Sequence, residues 1–258
     1  MAPLEVTAIQ MDLAWEDRPA NYDRARRWAE EAAAGGAQMV ILPEMFATGF
    51  SMNPAVTAEP ADGPTPTFLR QLAADLEVTV LGGYVRQAEG GRAWNAALAV
   101  GPDGHDLAEY HKTHLVGILG EHEAHQAGDV PRPFSLGGVQ AVCYVCYDLR
   151  FPELFRLTAA ETSLAVVIAS WPEARQAHWD ALLVARAIEN QQFVIGVNRV
   201  GEGGGLGFTG GTAIIDPMGQ TLAHGGDREG LVQASLDMAQ VNEVRTRLPF
   251  LKDRRFPV

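Results

Sequence analysis

The sequence predicts a layered α/β sandwich, on three observations. Short apolar runs alternate with helical patterns nearly to the end of the chain. Several of those runs, "QMVILPE" and "LAVVIAS" among them, are apolar at almost every position, so such strands need cover on both faces. The 258 residues are 47% hydrophobic, enough to bury a sizeable core, and the length suits one α/β domain over residues 1–258.

Taken in order, "LEVTAIQMD" reads as a strand and "NYDRARRWAEEAAAGGA" as a helix, with Asn21 as N-cap and Gly35-Gly36 as its stop. "QMVILPE" is a buried strand ending at Glu44, "TPTFLRQLAADLE" a helix and "VTVLGGYV" the next strand. "WNAALAV" and "DLAEYHK" flank "GPDG", a hairpin turn signal. Residues 111–133, polar and rich in His and Glu, read as a long loop. Then follow the strand "VQAVCYVC", the helix "PELFRLTAAE", the strand "LAVVIAS", the helix "AHWDALLVARAIENQ" and the strand "FVIGVNRV". The strands "GGTAIID" and "LVQASL", with "DPMG" as a turn, and the helix "MAQVNEVRTRL" complete the chain. No repeat, low-complexity tract or linker interrupts it.

The formal net charge is −12 with no basic run, which argues against a phosphate-tracking surface and a nucleic-acid partner. The opening residues lack a cationic stretch followed by an apolar one, and no apolar run approaches the ~20 residues that span a bilayer. The expectation is a cytoplasmic protein with no membrane partner. Two cysteines do not make a disulfide framework.

Those cysteines stand as C-x-x-C in "VQAVCYVCYDLRFPE". Residues three apart on a strand point to opposite faces about 10 Å apart, too far for a disulfide. A zinc site needs two further ligands, and no second C-x-x-C exists. Cys143 therefore reads as a packing residue. Cys146 ends its strand at a turn into a helix, the setting in which a nucleophile is exposed above a sheet. A helix start and a nearby cation would both favour its thiolate. Context alone leaves catalysis and packing open for it.

Glu44 follows "MVILP", at the carboxyl end of a buried strand, where open α/β sheets place ligands; the alternative is a solvated loop carboxylate. Lys112 in "EYHKTHL" and Glu121 in "GILGEHEAHQAGD" have equally plain readings as surface charges. His111, His114, His122 and His125 do not have the H-E-x-x-H spacing, so solvated or supporting roles are favoured over a metal site. "GLGFTG" matches G-x-G-x-x-G but precedes a strand, so it reads as a flexible glycine loop.

Together, "ILPEMF" around Glu44, "YHKTHL" around Lys112 and "VCYDLRFPEL" around Cys146 resemble, in that order, the motifs of the nitrilase superfamily of carbon–nitrogen hydrolases. "WPEARQAHWDALLVARAIENQQFVIGVNRVG" resembles its bacterial omega-amidase branch, and the similarity runs from "AIQMDLAWEDRPAN" to "RLPFLKDRRF".

The resemblance implies a four-layer αββα sandwich, commonly paired as a homodimer. It implies Cys146 as nucleophile, Glu44 as general base and acid, Lys112 as oxyanion cation and Glu121 as the second glutamate, with Glu123 as the rival in the same loop. The backbone N–H of Tyr147 completes the oxyanion site. No metal or organic cofactor is required. The implied reaction is ammonia release from a small-molecule amide, of the 2-oxoglutaramate or 2-oxosuccinamate kind. Nitrile or N-carbamoyl hydrolysis and a catalytically silent ligand-binding relative are the alternatives. A substrate carboxylate remote from the scissile amide needs a fixed cation. Arg175, a few residues past "VIAS", is the candidate for it unless it merely pairs with Glu173, and Trp171 is a candidate apolar wall.

Overall fold

The computed structural model describes residues 2–256. Its first half contains β1 (Leu4–Gln10), α1 (Arg18–Ala34), β2 (Met39–Ile41), α2 (Pro54–Thr57), β3 (Ala58–Glu59), α3 (Pro64–Leu76) and β4 (Thr79–Gln87). A hairpin of β5 (Ala93–Val100) and β6 (Asp106–His111) leads to the single-turn α4 (Glu121–Ala124). Then come β7 (Phe134–Leu136), β8 (Val139–Val145), α5 (Pro152–Thr158), β9 (Leu164–Ile168), α6 (Gln176–Asn190) and β10 (Phe193–Val197). The chain ends with β11 (Val200–Gly203), β12 (Leu206–Thr209), β13 (Ala213–Ile215), β14 (Thr221–His224), β15 (Gly230–Leu236) and α7 (Ala239–Arg247).

Two sheets result. One runs β15-β1-β2-β4-β5-β6 with β3 beside β4, and the other runs β14-β13-β10-β9-β8-β7. The period of two sorts their side chains. On β1, β2 and β5, Val6, Ala8, Met39, Ile41, Ala97 and Ala99 point into the gap between the sheets. The alternate residues Ile9, Val40, Leu98 and Val100 meet α1 and α3 through Ala25, Ala29, Leu69 and Leu72. On the second sheet Tyr144 of β8 stacks on Phe155 of α5 at 3.8 Å, and Gly196 of β10 lies against Leu183 and Trp179 of α6. The layers are therefore helix, sheet, sheet, helix, the αββα sandwich that the sequence predicts.

Three local readings change. Helix α1 starts at Arg18 with Asp17 as its cap, whose carboxylate accepts from the Ala20 N–H at 3.1 Å. Asn21 instead bonds the backbone of Ala14 and Ala47 with its amide, so tertiary contacts override its capping tendency. The glycine-rich "GLGFTG" is not a free loop, because Leu206–Thr209 pairs with Val200–Gly203 as a two-stranded hairpin. The long loop of residues 111–133 holds two short helical turns, at Gly117–Leu119 and Glu121–Ala124.

Candidate active site

Several strands deliver their carboxyl ends to one place. After β2 the chain turns at Met45, whose φ of 46° is left-handed, and Glu44 just before it is fully buried. Gly83 on β4 makes this approach possible. A Cβ there would lie 2.6 Å from the Met45 nitrogen and 2.7 Å from the Glu44 Cα, so only glycine fits.

Lys112, one residue past β6, is buried beneath that turn. Its Nζ donates to Glu44 Oε1 at 3.2 Å and to both Glu121 oxygens at 2.9 Å. Asn95 of β5 donates from Nδ2 to Glu44 Oε1 at 2.7 Å and to Glu121 Oε1 at 2.9 Å, tying the two carboxylates together. The Val116 N–H adds a 2.7 Å bond to Glu121 Oε2, and the Ser170 N–H, just past β9, adds one of 2.6 Å to Glu44 Oε2. Burial alone would discharge Lys112, but Glu121 and then Glu44 outweigh it and hold the ammonium's pKa far above its ordinary value. Burial likewise favours the proton on Glu121, yet the Lys112 charge and the bonds from Lys112, Asn95 and Val116 hold its pKa below the usual carboxylate value. Glu123 is exposed on the same helical turn, so the structure brings Glu121 and not Glu123 to the cluster.

Cys146 follows β8 directly, with φ at 48°, and opens a short helical turn, Cys146–Arg150, before α5. A left-handed non-glycine residue costs on the order of 1–3 kcal/mol and persists only where its surroundings over-determine it. Here the determinant is Asp148, a fully buried carboxylate inside the turn. Its Oδ2 accepts from the Val145 N–H at 3.1 Å and the Tyr110 hydroxyl at 2.7 Å. Its Oδ1 accepts from the His114 N–H and faces His114 Nδ1, each at 2.9 Å. The turn is thereby bound to the segment that carries Lys112. The thiol is not held as a thiolate, as a helix start and a cation would favour. Burial and then the Glu44 carboxylate push its pKa well above the ordinary value, more than Lys112 lowers it. Cys143 points instead into the gap between the sheets beside Ala97 and Ala99, and burial pushes its thiol up as well.

Above Cys146 lies a narrow cleft, lined by Phe50, Tyr147, Arg150, Trp171 and Arg175 among others. Trp171 and Arg175, the residues that the sequence offers for substrate binding, are both in this lining. The Trp171 indole N–H donates to the Arg175 carbonyl at 2.8 Å, which fixes the wall to the loop. Arg175 has no ion-pair partner among the described residues, and the Glu173 carboxylate lies against Gly207 instead. A wider cavity of about 1000 Å³ opens beside β6 and β7, but it contains Cys143 and none of the buried cluster, so chemistry rather than size locates the site. No group of three or more His, Cys, Asp or Glu among the described residues is placed to hold a metal. Of the four histidines, His125 departs from a solvated role: it is fully buried, and its N–H donates to the Glu121 carbonyl at 2.8 Å.

Sequence reasoning missed Asn95, Asp148 and Arg150. Asn95 had a signal, a single amide in the otherwise apolar "WNAALAV", on the face that Ala97 and Ala99 turn to the core. Asp148 and Arg150 lay in plain view within "CYDLRF".

A family model described as carbon-nitrogen hydrolase matches residues 5–246. The 2-oxoglutaramate amidase of Bacillus subtilis (strain 168) is 33% identical over 252 residues, which cover 97% of each chain. The omega-amidase YafV of Escherichia coli (strain K12) is 35% identical over 255 residues, covering 98% of this chain and 97% of its own. A solved CN-hydrolase superfamily protein from Xanthomonas campestris, with an arsenic adduct in its active site, superposes with a TM-score of 0.93. It is 35% identical, and 100% of this chain and 99% of that one are covered. An amidase from Nesterenkonia sp. AN1 superposes with a TM-score of 0.88 at 29% identity, covering 98% of this chain and 94% of its own. That structure shows the acetamide moiety of fluoroacetamide added covalently at its active-site cysteine.

Proposed function

The chain belongs to the carbon–nitrogen hydrolase family, and from that premise we propose that it is an omega-amidase. It would release ammonia from the distal amide of a short 2-oxo dicarboxylic acid through a thioester on Cys146. The chain is a hydrolase of non-peptide carbon–nitrogen bonds, an amidase; the substrate and the residue roles are the proposal.

The observation that carries it is the unfilled acceptor capacity of Glu44. A carboxylate has about four lone-pair sites. Lys112 and Asn95 occupy Oε1, and the Ser170 N–H occupies one site on Oε2. One remains, on a carboxylate close enough to raise the Cys146 pKa. In the first half-reaction Cys146 Sγ attacks the amide carbon while Glu44 takes the thiol proton, so no standing thiolate is needed. The carbonyl oxygen takes up negative charge, which the Lys112 ammonium and the Tyr147 N–H offset. Glu121 engages the ammonium with both oxygens, so Lys112 acts through its fixed position and charge. Glu44 then passes the proton to the amide nitrogen, the C–N bond breaks and ammonia leaves. Water attacks the thioester with Glu44 again as base, freeing the acid and restoring the thiol. Trp171 and Arg175, which line the cleft beside Cys146, would hold the far end of the substrate.

The test is a release assay over 2-oxo acid omega-amides, N-carbamoyl compounds and nitriles, scoring ammonia and carbon dioxide together. Fastest ammonia release from the 2-oxo acid amides supports the reading. Faster turnover of nitriles or carbamoyl compounds overturns it.

The proposal extends to a cytoplasmic homodimer. In its support, Leu157 on α5 and Ile188 on α6 are 43% and 45% exposed, with Met218 at 46% in the turn that packs on Ile188. No helix among the described residues is long and apolar enough to cross a membrane. Light scattering reports the mass directly, and a monomer unchanged by Ile188→Asp would remove the dimer.

A further inference from the structure

The turn Cys146–Arg150 begins on a left-handed residue and ends against a proline. Asp148 ties the turn to Tyr110 and His114 on one side. Its end needs a separate tie. Phe151, just past the turn, is extended at φ −109° and ψ 92°, and its N–H donates to the Asp148 carbonyl at 3.0 Å. The next carbonyl is that of Leu149, and the N–H three residues on would have to come from Pro152, which has none. A helical turn cut off in this way leaves an acceptor that must be satisfied from elsewhere.

Arg186 of α6 supplies the donors. Its Nε and Nη2 both donate to the Leu149 carbonyl, at 3.1 and 2.8 Å, across 37 residues of sequence. Nη1 donates to Glu189 Oε1 at 2.7 Å, which fixes the plane of the guanidinium, and the group lies 5.3 Å from the centre of the Phe155 ring. The side chain is only 4% exposed and lines no part of the cleft. Its charge also stands at the carboxyl end of the turn, where a cation is favoured. Cys146, at the other end, holds a costly left-handed φ that relaxes once the turn is free to move. Relaxation would swing the sulfur away from Glu44 and rotate the Tyr147 N–H.

We propose that Arg186 is a positioning residue of this amidase. By fastening the end of the turn to α6 it holds the Cys146 sulfur and the Tyr147 N–H in the geometry of attack, without touching substrate. The inference rests on the roles given above to Cys146 and Tyr147, and it brings α6 into the chemistry. A device that acts on the nucleophile alone changes kcat equally for every amide and leaves KM in place.

Two substitutions test it. Arg186→Met keeps the length of the side chain and removes every donor, whereas Arg186→Lys keeps the charge without the planar fork. Both are checked for folding by circular dichroism and assayed for ammonia from 2-oxosuccinamate and butyramide. Arg186→Met should lower kcat roughly 10–100-fold on both amides and leave KM within about threefold. Arg186→Lys should lose roughly three- to tenfold in kcat. Native-state hydrogen exchange reads the turn without any substrate. In Arg186→Met the Phe151 amide should gain at least roughly tenfold more in exchange rate than the amides of β9, which report the core. Unchanged kcat in folded Arg186→Met would overturn the proposal, as would a loss that appears in KM or an equal gain in exchange at Phe151 and β9. If Arg186→Met does not fold, Arg186→Lys decides the matter, and wild-type kcat with wild-type exchange at Phe151 would overturn it. Failure of the amidase reading looks different: the wild type then releases no ammonia from either amide, and the exchange comparison still decides whether Arg186 holds the turn.

Discussion

The floor and the rim of the cleft treat charge in opposite ways. On the floor, Lys112 is bound by two carboxylates, and both carboxylates are bound in turn by Asn95. At the rim, Arg150 and Arg175 face the cleft unpaired. A buried cation without partners would lose its proton, so groups that must stay charged while bonds change are surrounded by opposite charge. Groups that recognise a ligand serve best when their partner is the ligand. Damage to the floor should therefore reduce turnover of every substrate, and damage to the rim should change which substrates are turned over.

The largest effect belongs to the sulfur. Cys146→Ala and Cys146→Ser should reduce ammonia release to background, while Cys143→Ala stays within a few-fold of wild type. If both substitutions, in folded protein, lost activity equally, the assignment would be wrong. Iodoacetamide followed by peptide mass mapping should label Cys146 ahead of Cys143, since the Lys112 cation favours the Cys146 thiolate and no cation acts on Cys143.

Next come the floor charges. Glu44→Gln removes the proton carrier and should cost roughly 10²–10⁴ in kcat for all amides. Lys112→Met should cost roughly 10²–10³ in kcat and also destabilise the fold by about 3–5 kcal/mol, because two buried carboxylates lose their cation. Adding Glu121→Gln to Lys112→Met should recover part of that stability in a urea titration and none of the activity. Recovery of activity would separate the cluster from the chemistry.

Glu121→Gln alone should lower kcat by roughly 10²-fold, since its amide would set a donor against Lys112 or the Val116 N–H. Glu123→Gln, on the exposed side of the same turn, should stay within about twofold, within the range of ordinary surface changes. The pH dependence has a definite sign. The folded pKa of Glu121 lies below its unfolded value of about 4.3, so its stabilisation is present above that pH and lost as pH falls through the folded value. An acid titration of Glu121→Gln should accordingly lose part of the wild-type drop in stability below about pH 4.

The smallest effect is at the rim. Arg175→Lys keeps the charge but loses the paired donors, so KM for 2-oxosuccinamate should rise several-fold more than KM for butyramide. Equal shifts would remove Arg175 from recognition.

The floor residues stood out in the sequence only when three motifs were taken together as a family resemblance, since the end of an apolar strand places a side chain at the sheet's edge without saying what it does. Glu44 after "VILP" and Cys146 after "VCYV" are of this kind. Glu121 was not separable from Glu123 by sequence, because both lie in a polar loop, and only the helical turn puts one inside and the other out. The rim was half legible: Arg175 stood out after a strand end, whereas Arg150 was read as part of a turn into a helix. Strands such as Phe134–Leu136 and Thr221–His224 were missed because three or four residues are too few to show a period of two. The hairpin of Val200–Gly203 with Leu206–Thr209 was hidden by glycines that carry no side-chain pattern.

Asp148 has a consequence for how the molecule opens. One buried carboxylate joins the end of β8, the hydroxyl of Tyr110 and the backbone at His114. The segment bearing sulfur and the segment bearing ammonium therefore form one cooperative unit, and neither can fray while the other stays closed. In native-state hydrogen exchange, the amides of Val145 and His114 should share a single opening free energy, well above that of the exposed turn at Gly90-Gly91. Local breathing, which frees most surface loops one at a time, would here expose both halves of the site together or neither.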